Sequence, residues 1–183
     1  CEHVPGRPDF ISHADPSFGQ GTVYTSSCPV TVGDEQWLYF TAYTRIHGWY
    51  LHKDKEIADK RMQTVIDEGL SRIGVARWPK WRLFGFRSDP EGSLTLNLDG
   101  IKEPCRLLLN YECEQGGSVR ISLEDVPGRT EKNSIPLTGS SFDAAATWSD
   151  GDVLAPRPEG QSIEATLHMD RARVYAYQLL PAK

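Results

Sequence analysis

Apolar and polar residues alternate along much of this chain with the two-residue period of strands, and one segment departs from it. In Ser118-Val-Arg-Ile-Ser-Leu-Glu124, the residues Val119, Ile121 and Leu123 alternate with Ser118, Arg120, Ser122 and Glu124. Successive side chains of a strand point to opposite faces, so this segment predicts an antiparallel strand with one buried and one wet face. Shorter β patterns occupy 22–25 and 29–32. The turn Gly33-Asp34 and the aromatic run Gln36-Trp-Leu-Tyr-Phe-Thr-Ala-Tyr43 follow. Short strands around Gly-Asp predict a hairpin or meander. Runs at 73–76, 81–87, 93–98, 105–111, 163–169 and 174–180 also read as strands, with a weaker one at 144–148. Glu-rich sequence and Gly116-Gly117 predict a turn between 105–111 and 118–124. Turn signals every ~8–12 residues predict a mainly β chain, built as an antiparallel sandwich or barrel.

The departure lies at 53–70. Ala58, Met62, Val65 and Ile66 recur at helical spacing, and neither Gly nor Pro interrupts them before Gly69. This predicts one short helix over about 55–67, stopped at Gly69, with its apolar stripe on the body and its charged face in water. Residues 1–21, rich in Pro, Gly, Ser and Asp, read as loop. The start at Cys1 rather than Met is what removal of a signal segment, or of a longer upstream part, would leave.

The formal charge of -5, with Lys and Arg scattered, predicts no nucleic-acid partner. No apolar run approaches the ~18 residues that span a bilayer, so no membrane span is expected. Cys105 and Cys113 sit at the two ends of one apolar run. In a single strand they would lie ~26 Å apart at ~3.3 Å per residue, too far for a disulfide, which needs Cα atoms within about 7 Å. The four cysteines include no CxxC pair and no Cys/His cluster with zinc spacing, so free thiols, no metal and no cofactor are expected.

Gly33-Asp34-Glu35-Gln36-Trp37-Leu38-Tyr39-Phe40, then His47-Gly48-Trp49 and Ile73-Gly74-Val75-Ala76-Arg77, resemble the final blade of glycosidase-like five-bladed β-propellers related to glycoside hydrolase families 32 and 43. The later segments resemble the β-sandwich that trails such propellers: Gly92-Ser93-Leu94-Thr95, Leu107-Leu108-Leu109-Asn110-Tyr111, Gly117 to Asp125, Trp148 and Arg173-Val174-Tyr175-Ala176-Tyr177. The resemblance covers about residues 18–180, with the helical segment as an insertion. It implies a partial propeller over 1–77, the final blade, and an antiparallel, jelly-roll-like β-sandwich over 78–183. It further implies a carbohydrate ligand and a secreted or periplasmic location. Residues 1–77 suffice for about one blade to one and a half, so the remaining blades are expected in cis or from a second chain.

Glycoside hydrolysis usually needs two carboxyl groups ~5 to ~9.5 Å apart across the scissile bond. Asp34 and Glu35 are adjacent, and on a strand they would point to opposite sides. Asp34 suits the turn, which leaves Glu35 as a catalytic candidate or a strand-start residue in an ion pair. His47, before Gly48 in a loop, is the second catalytic candidate; the alternative is a loop histidine bonded to backbone. Trp49 is a substrate-binding candidate that could stack on a sugar, and Trp49 and Tyr50 could equally serve packing. Asn110 and Asp125 read as turn residues, Trp148 and Tyr175 as core or interface. Asp150-Gly151-Asp152 resembles a piece of a calcium loop, but hard cations need six to eight oxygens. Neither GxSxG, HExxH nor a phosphate-cradling loop occurs. The expected function is that of the C-terminal part of a glycoside-hydrolase-like protein, with the sandwich as an accessory module. A stand-alone carbohydrate-binding sandwich is the alternative, and a hydrolase completed by another chain is a third.

Overall fold

Three strands converge on Glu35–Tyr43. This strand, β3, pairs antiparallel along one edge with β1 (Thr22–Thr25) and β2 (Val30–Val32), and along the other with β4 (Ser71–Pro79). Gly33, at φ +60, opens the two-residue turn between β2 and β3, a place for glycine because few other residues adopt that backbone. The computed structural model describes residues 11, 21–69 and 71–182, so most of the expected N-terminal loop, with Cys1, lies outside the described residues. The chain divides into two compact units, Cys1–Pro79 and Lys80–Lys183.

In the first unit, β3 buries Gln36, Phe40 and Ala42 on one face. The Gln36 amide oxygen accepts a hydrogen bond from Trp78 Nε1 at 3.1 Å, which satisfies the buried side chain. Tyr39 lies on the opposite face. The register puts Tyr24, Val30, Val32, Ile73 and Val75 on that same side, and all six are exposed. The four described strands stand in three positions across the sheet, with β1 and β2 end to end along one edge of β3.

The helix α1 spans Lys55–Glu68. Asp54 caps it by accepting from the Glu56 and Ile57 N–H groups, and Gly69 ends it in the left-handed region. The expected stripe is narrower than its spacing implied. Ala58, Arg61 and Val65 are half-buried, while Met62 and Ile66 stay exposed.

The second unit is one six-stranded antiparallel sheet of β5 (Phe86–Arg87), β6 (Glu91–Leu98), β7 (Cys105–Leu123), β8 (Ser140–Ala145), β9 (Val153–Leu154) and β10 (Ile163–Pro181). Two expectations need correction. The turn foreseen at Gly116-Gly117 does not reverse the chain: 105–111 and 118–123 belong to one 19-residue strand, and 163–169 and 174–180 to another. The glycines serve an irregularity between those strands, where the register shifts between Asp170 and Ala172. Gly116 has φ +76 and Arg171 φ +44. A Cβ at Gly117 would lie 2.5 Å from the Arg171 carbonyl oxygen, so close backbone approach, not reversal, requires glycine here. Similarly, the run 81–87 is a strand only at Phe86–Arg87, because Trp81 turns the chain at φ +59 and Arg82 bonds to β7 and β8.

Leu107, Leu109 and Tyr111 from the first half of β7 join Val119, Ile121 and Leu123 from its second half in one core, with Leu167, Val174 and Trp148. Trp148 Nε1 donates to the Ile121 carbonyl at 2.9 Å. The protein is thus mainly β, with antiparallel sheets, a sandwich-like core and, among the described residues, one α-helix.

Candidate functional site

His47 and Trp49 come together at the end of the first sheet where β1 begins and β3 stops. Pairing of Thr22 with Tyr43 brings Tyr24 beside the loop that follows β3. The result is a cleft of about 250 Å³ lined chiefly by Tyr24, Tyr43, Arg45, His47, Trp49 and Tyr50. His47 Nδ1 is hydrogen-bonded to the Tyr24 hydroxyl, so its partner is a side chain rather than backbone. The Tyr24 ring meets both His47 and Tyr43 edge-on, each with centroids 5.9 Å apart.

Trp49 is held by cations. The Arg45 and Arg61 guanidiniums lie 5.0 and 5.3 Å from its ring centroid. Arg61 also donates to the Trp49 carbonyl at 2.8 Å, tying α1 to the loop. These contacts favour packing, and a sugar stacking on this ring competes with them.

Glu35 is placed elsewhere. It begins β3, whose far end at Tyr43 borders the cleft, about 26 Å away at ~3.3 Å per residue. Its carboxylate accepts from Trp37 Nε1 at 2.8 Å. Glu35 and His47 therefore do not form one acid/base pair. Among the described residues no carboxylate lines the cleft. Its chemistry is that of binding: aromatic faces, a histidine and an arginine. Tyr24 escaped the sequence reading because pairing of β1 with β3, not spacing, brings it to His47, while Tyr43 and Arg45 reach the cleft from the same segment as His47.

In the second unit the Asp150-Gly151-Asp152 segment is not a cation loop. Asp150 pairs with Arg129 at 2.5 Å, and Asp152 with Arg106 at 2.8 Å, so the two carboxylates are committed separately. Among the described residues no group of three or more His, Cys, Asp or Glu could hold a metal. Asp125, at φ +53, does occupy a turn. Asn110 instead sits buried in β7 and bonds Arg82 and the Lys80 carbonyl.

One further constellation has the outline of a nucleophilic triad. The Ser122 hydroxyl lies 2.8 Å from His168 Nε2, and His168 Nδ1 lies 3.6 Å from the Glu131 carboxylate. The second distance is too long for a hydrogen bond. Moreover, the flanking N–H groups are spent inside the fold: Ile121 donates to Ser134 Oγ and Leu123 to the Arg129 carbonyl. These donors cannot stabilise an oxyanion beside Ser122, so the trio serves the sheet surface.

Among the described residues, no helix is long and apolar enough to cross a membrane. No protein-family model, curated protein or solved structure matches the chain.

Proposed function

We propose that this chain acts as a non-catalytic accessory region of a glycoside-hydrolase-like, carbohydrate-active protein. Its second unit serves as a structural sandwich, and its first sheet packs against another β-sheet, supplied by further blades in cis or by a second chain. The observation that carries this reading is the one-sided exposure of the first sheet. Tyr24, Val30, Val32, Tyr39, Ile73 and Val75 share one face and are all exposed, Ile73 by 82%. An exposed strand face carrying six large apolar side chains marks an interaction surface. The separation of Glu35 from His47, and the absence of a carboxylate from the described lining of the cleft, support a non-catalytic role.

The test combines turnover with association. Purified chain should hydrolyse no member of a panel of aryl glycosides and oligosaccharides. In sedimentation velocity it should self-associate as concentration rises, and the double change Ile73→Lys and Val75→Lys should leave a monomer. Turnover lost on Glu35→Gln, or a wild-type monomer at every concentration, would contradict the proposal. A second reading, a carbohydrate-binding sandwich, is favoured by the exposure of Trp81 and Tyr177 in the second unit.

A further inference from the structure

Strand β4 is a long edge strand with little to guard it. It runs nine residues beside β3 without a register shift, and its proline, Pro79, stands only at its end. Among the described residues its other edge pairs with nothing. The pairing of β3 decides which backbone groups that edge presents. In an antiparallel ladder the backbone groups of successive residues point to alternate edges. The Ser26 N–H donates to the Tyr39 carbonyl at 2.8 Å, so Tyr39, and with it Trp37, Thr41 and Tyr43, turn their backbone groups toward β1 and β2. Gln36, Leu38, Phe40 and Ala42 then face β4, where their partners are Trp78, Ala76, Gly74 and Arg72. The N–H and C=O groups of Ile73, Val75 and Arg77 are left pointing outward from the sheet. A regular edge of this kind is a template for another strand.

The two arginines of β4 do not call for an acidic partner, because both are engaged within their own unit. Arg72 donates to the Gly69 and Ser71 carbonyls at 3.3 and 3.4 Å, and the Arg77 guanidinium lies 5.4 Å from the Trp37 ring centroid. The edge is instead its own complement. The geometry points to β4 as a homodimerisation edge, where two copies of this chain join antiparallel about a two-fold axis at Gly74 into one continuous sheet. That register sets Ile73, itself 82% exposed, against the second copy's Val75, and Val75 against the second copy's Ile73, as hydrogen-bonded pairs. Ser71 then meets Arg77, and Arg72 meets Ala76, so no like charges stand opposite each other. Centring on Val75 sets Ile73 against Arg77, and centring on Ile73 sets Val75 against Ser71; each loses the apolar match. The inference goes beyond the docking face, since it concerns the strand edge and names a second copy as its occupant.

The test uses the full chain in sedimentation velocity and NMR. Edge pairing buries less area than a standard interface, so the dimer should be weak, with a dissociation constant on the order of 0.1 mM. Val75→Pro removes one outward N–H and leaves the bonds to β3 in place, because proline is tolerated on an edge. It should weaken dimerisation about tenfold or more. Tyr39→Lys, on the face of the sheet and away from the edge, should change it by less than about threefold. In a mixture of isotope-labelled and unlabelled chain, isotope-filtered NOEs should connect Ile73 of one copy with Val75 of the other. That measurement needs no variant, so the test stands should Val75→Pro not fold. A monomer at every concentration would overturn the proposal. So would a dimer abolished by Tyr39→Lys and untouched by Val75→Pro, or one whose intermolecular NOEs join Tyr39 and Tyr24 instead; these two results would leave the docking-face reading standing.

Discussion

Strands β3 and β7 both carry alternating apolar residues, yet the two units use that alternation differently. In β7 the inward set from Leu107 to Leu123 meets side chains of β10, and of Trp148, in a continuous core. In β3 the inward set stops at Phe40 and Ala42, the buried hydrophobic residues of the first unit among those described, against eighteen in the core of the second. The aromatic residue Tyr39 and neighbours on adjacent strands, such as Val75 and Ile73, face outward instead. A strand pattern therefore indicates which side chains share a face, but not whether that face has a partner. The second unit supplies its own partner by pairing two 19-residue strands around an irregularity; the first presents an apolar face that its described residues leave open.

This contrast predicts unequal responses to mutation. Trp148→Ala should cost about 3–5 kcal/mol, because it empties a fully packed site and leaves the Ile121 carbonyl without its donor. Tyr39→Ala, at an exposed position, should cost no more than about 1 kcal/mol. Urea unfolding checks both, and equal losses would erase the contrast. Arg129→Met should cost about 2–3 kcal/mol. Its guanidinium is buried on Trp148 and donates to Asp150 and to the Gly151 and Val153 carbonyls, so the change leaves several acceptors unmet. Asp54→Ala should cost about 1 kcal/mol, felt as fraying of α1 and not in the second unit, because only the helix cap is removed.

The thiols sharpen the comparison chemically. Burial, reinforced by the Glu103 charge, pushes the Cys105 thiol up; burial, then the charges of Asp170 and Glu112, does the same for Cys113. A raised pKa means less thiolate at a given pH and slower alkylation. Iodoacetamide at pH 8 should therefore modify the exposed Cys28 of the first unit about tenfold or more faster than Cys105 or Cys113, as peptide mass mapping would show. Raising the pH should narrow the gap.

Local signals were legible where the answer was local. The Ser118 to Glu124 alternation places Val119, Ile121 and Leu123 in the core, and Gly69 ends the helix. The absence of a Cys105–Cys113 bond followed from distance along one strand. What stayed hidden depends on long-range pairing. Gly116-Gly117 reads as a turn because glycine permits reversal, yet the same freedom here allows close approach to Arg171 in the neighbouring strand. The site was legible only in part: His47 and Trp49 do share a cleft, but Glu35, at the other end of the same strand, does not join them. Trp81 was hidden for a related reason. Its aromatic run fits a strand, and the neighbouring Arg82, anchored to distant β7 and β8, helps take it out of one.

The accessory reading requires that the open face of the first sheet be a docking surface, and hydrogen exchange at low and high protein concentration tests it most directly. The account predicts that amides in 105–123 and 163–181 are strongly protected at both concentrations, while those in 22–50 and 71–79 gain protection as concentration rises. Full, concentration-independent protection of the first sheet in a monomeric chain would contradict it.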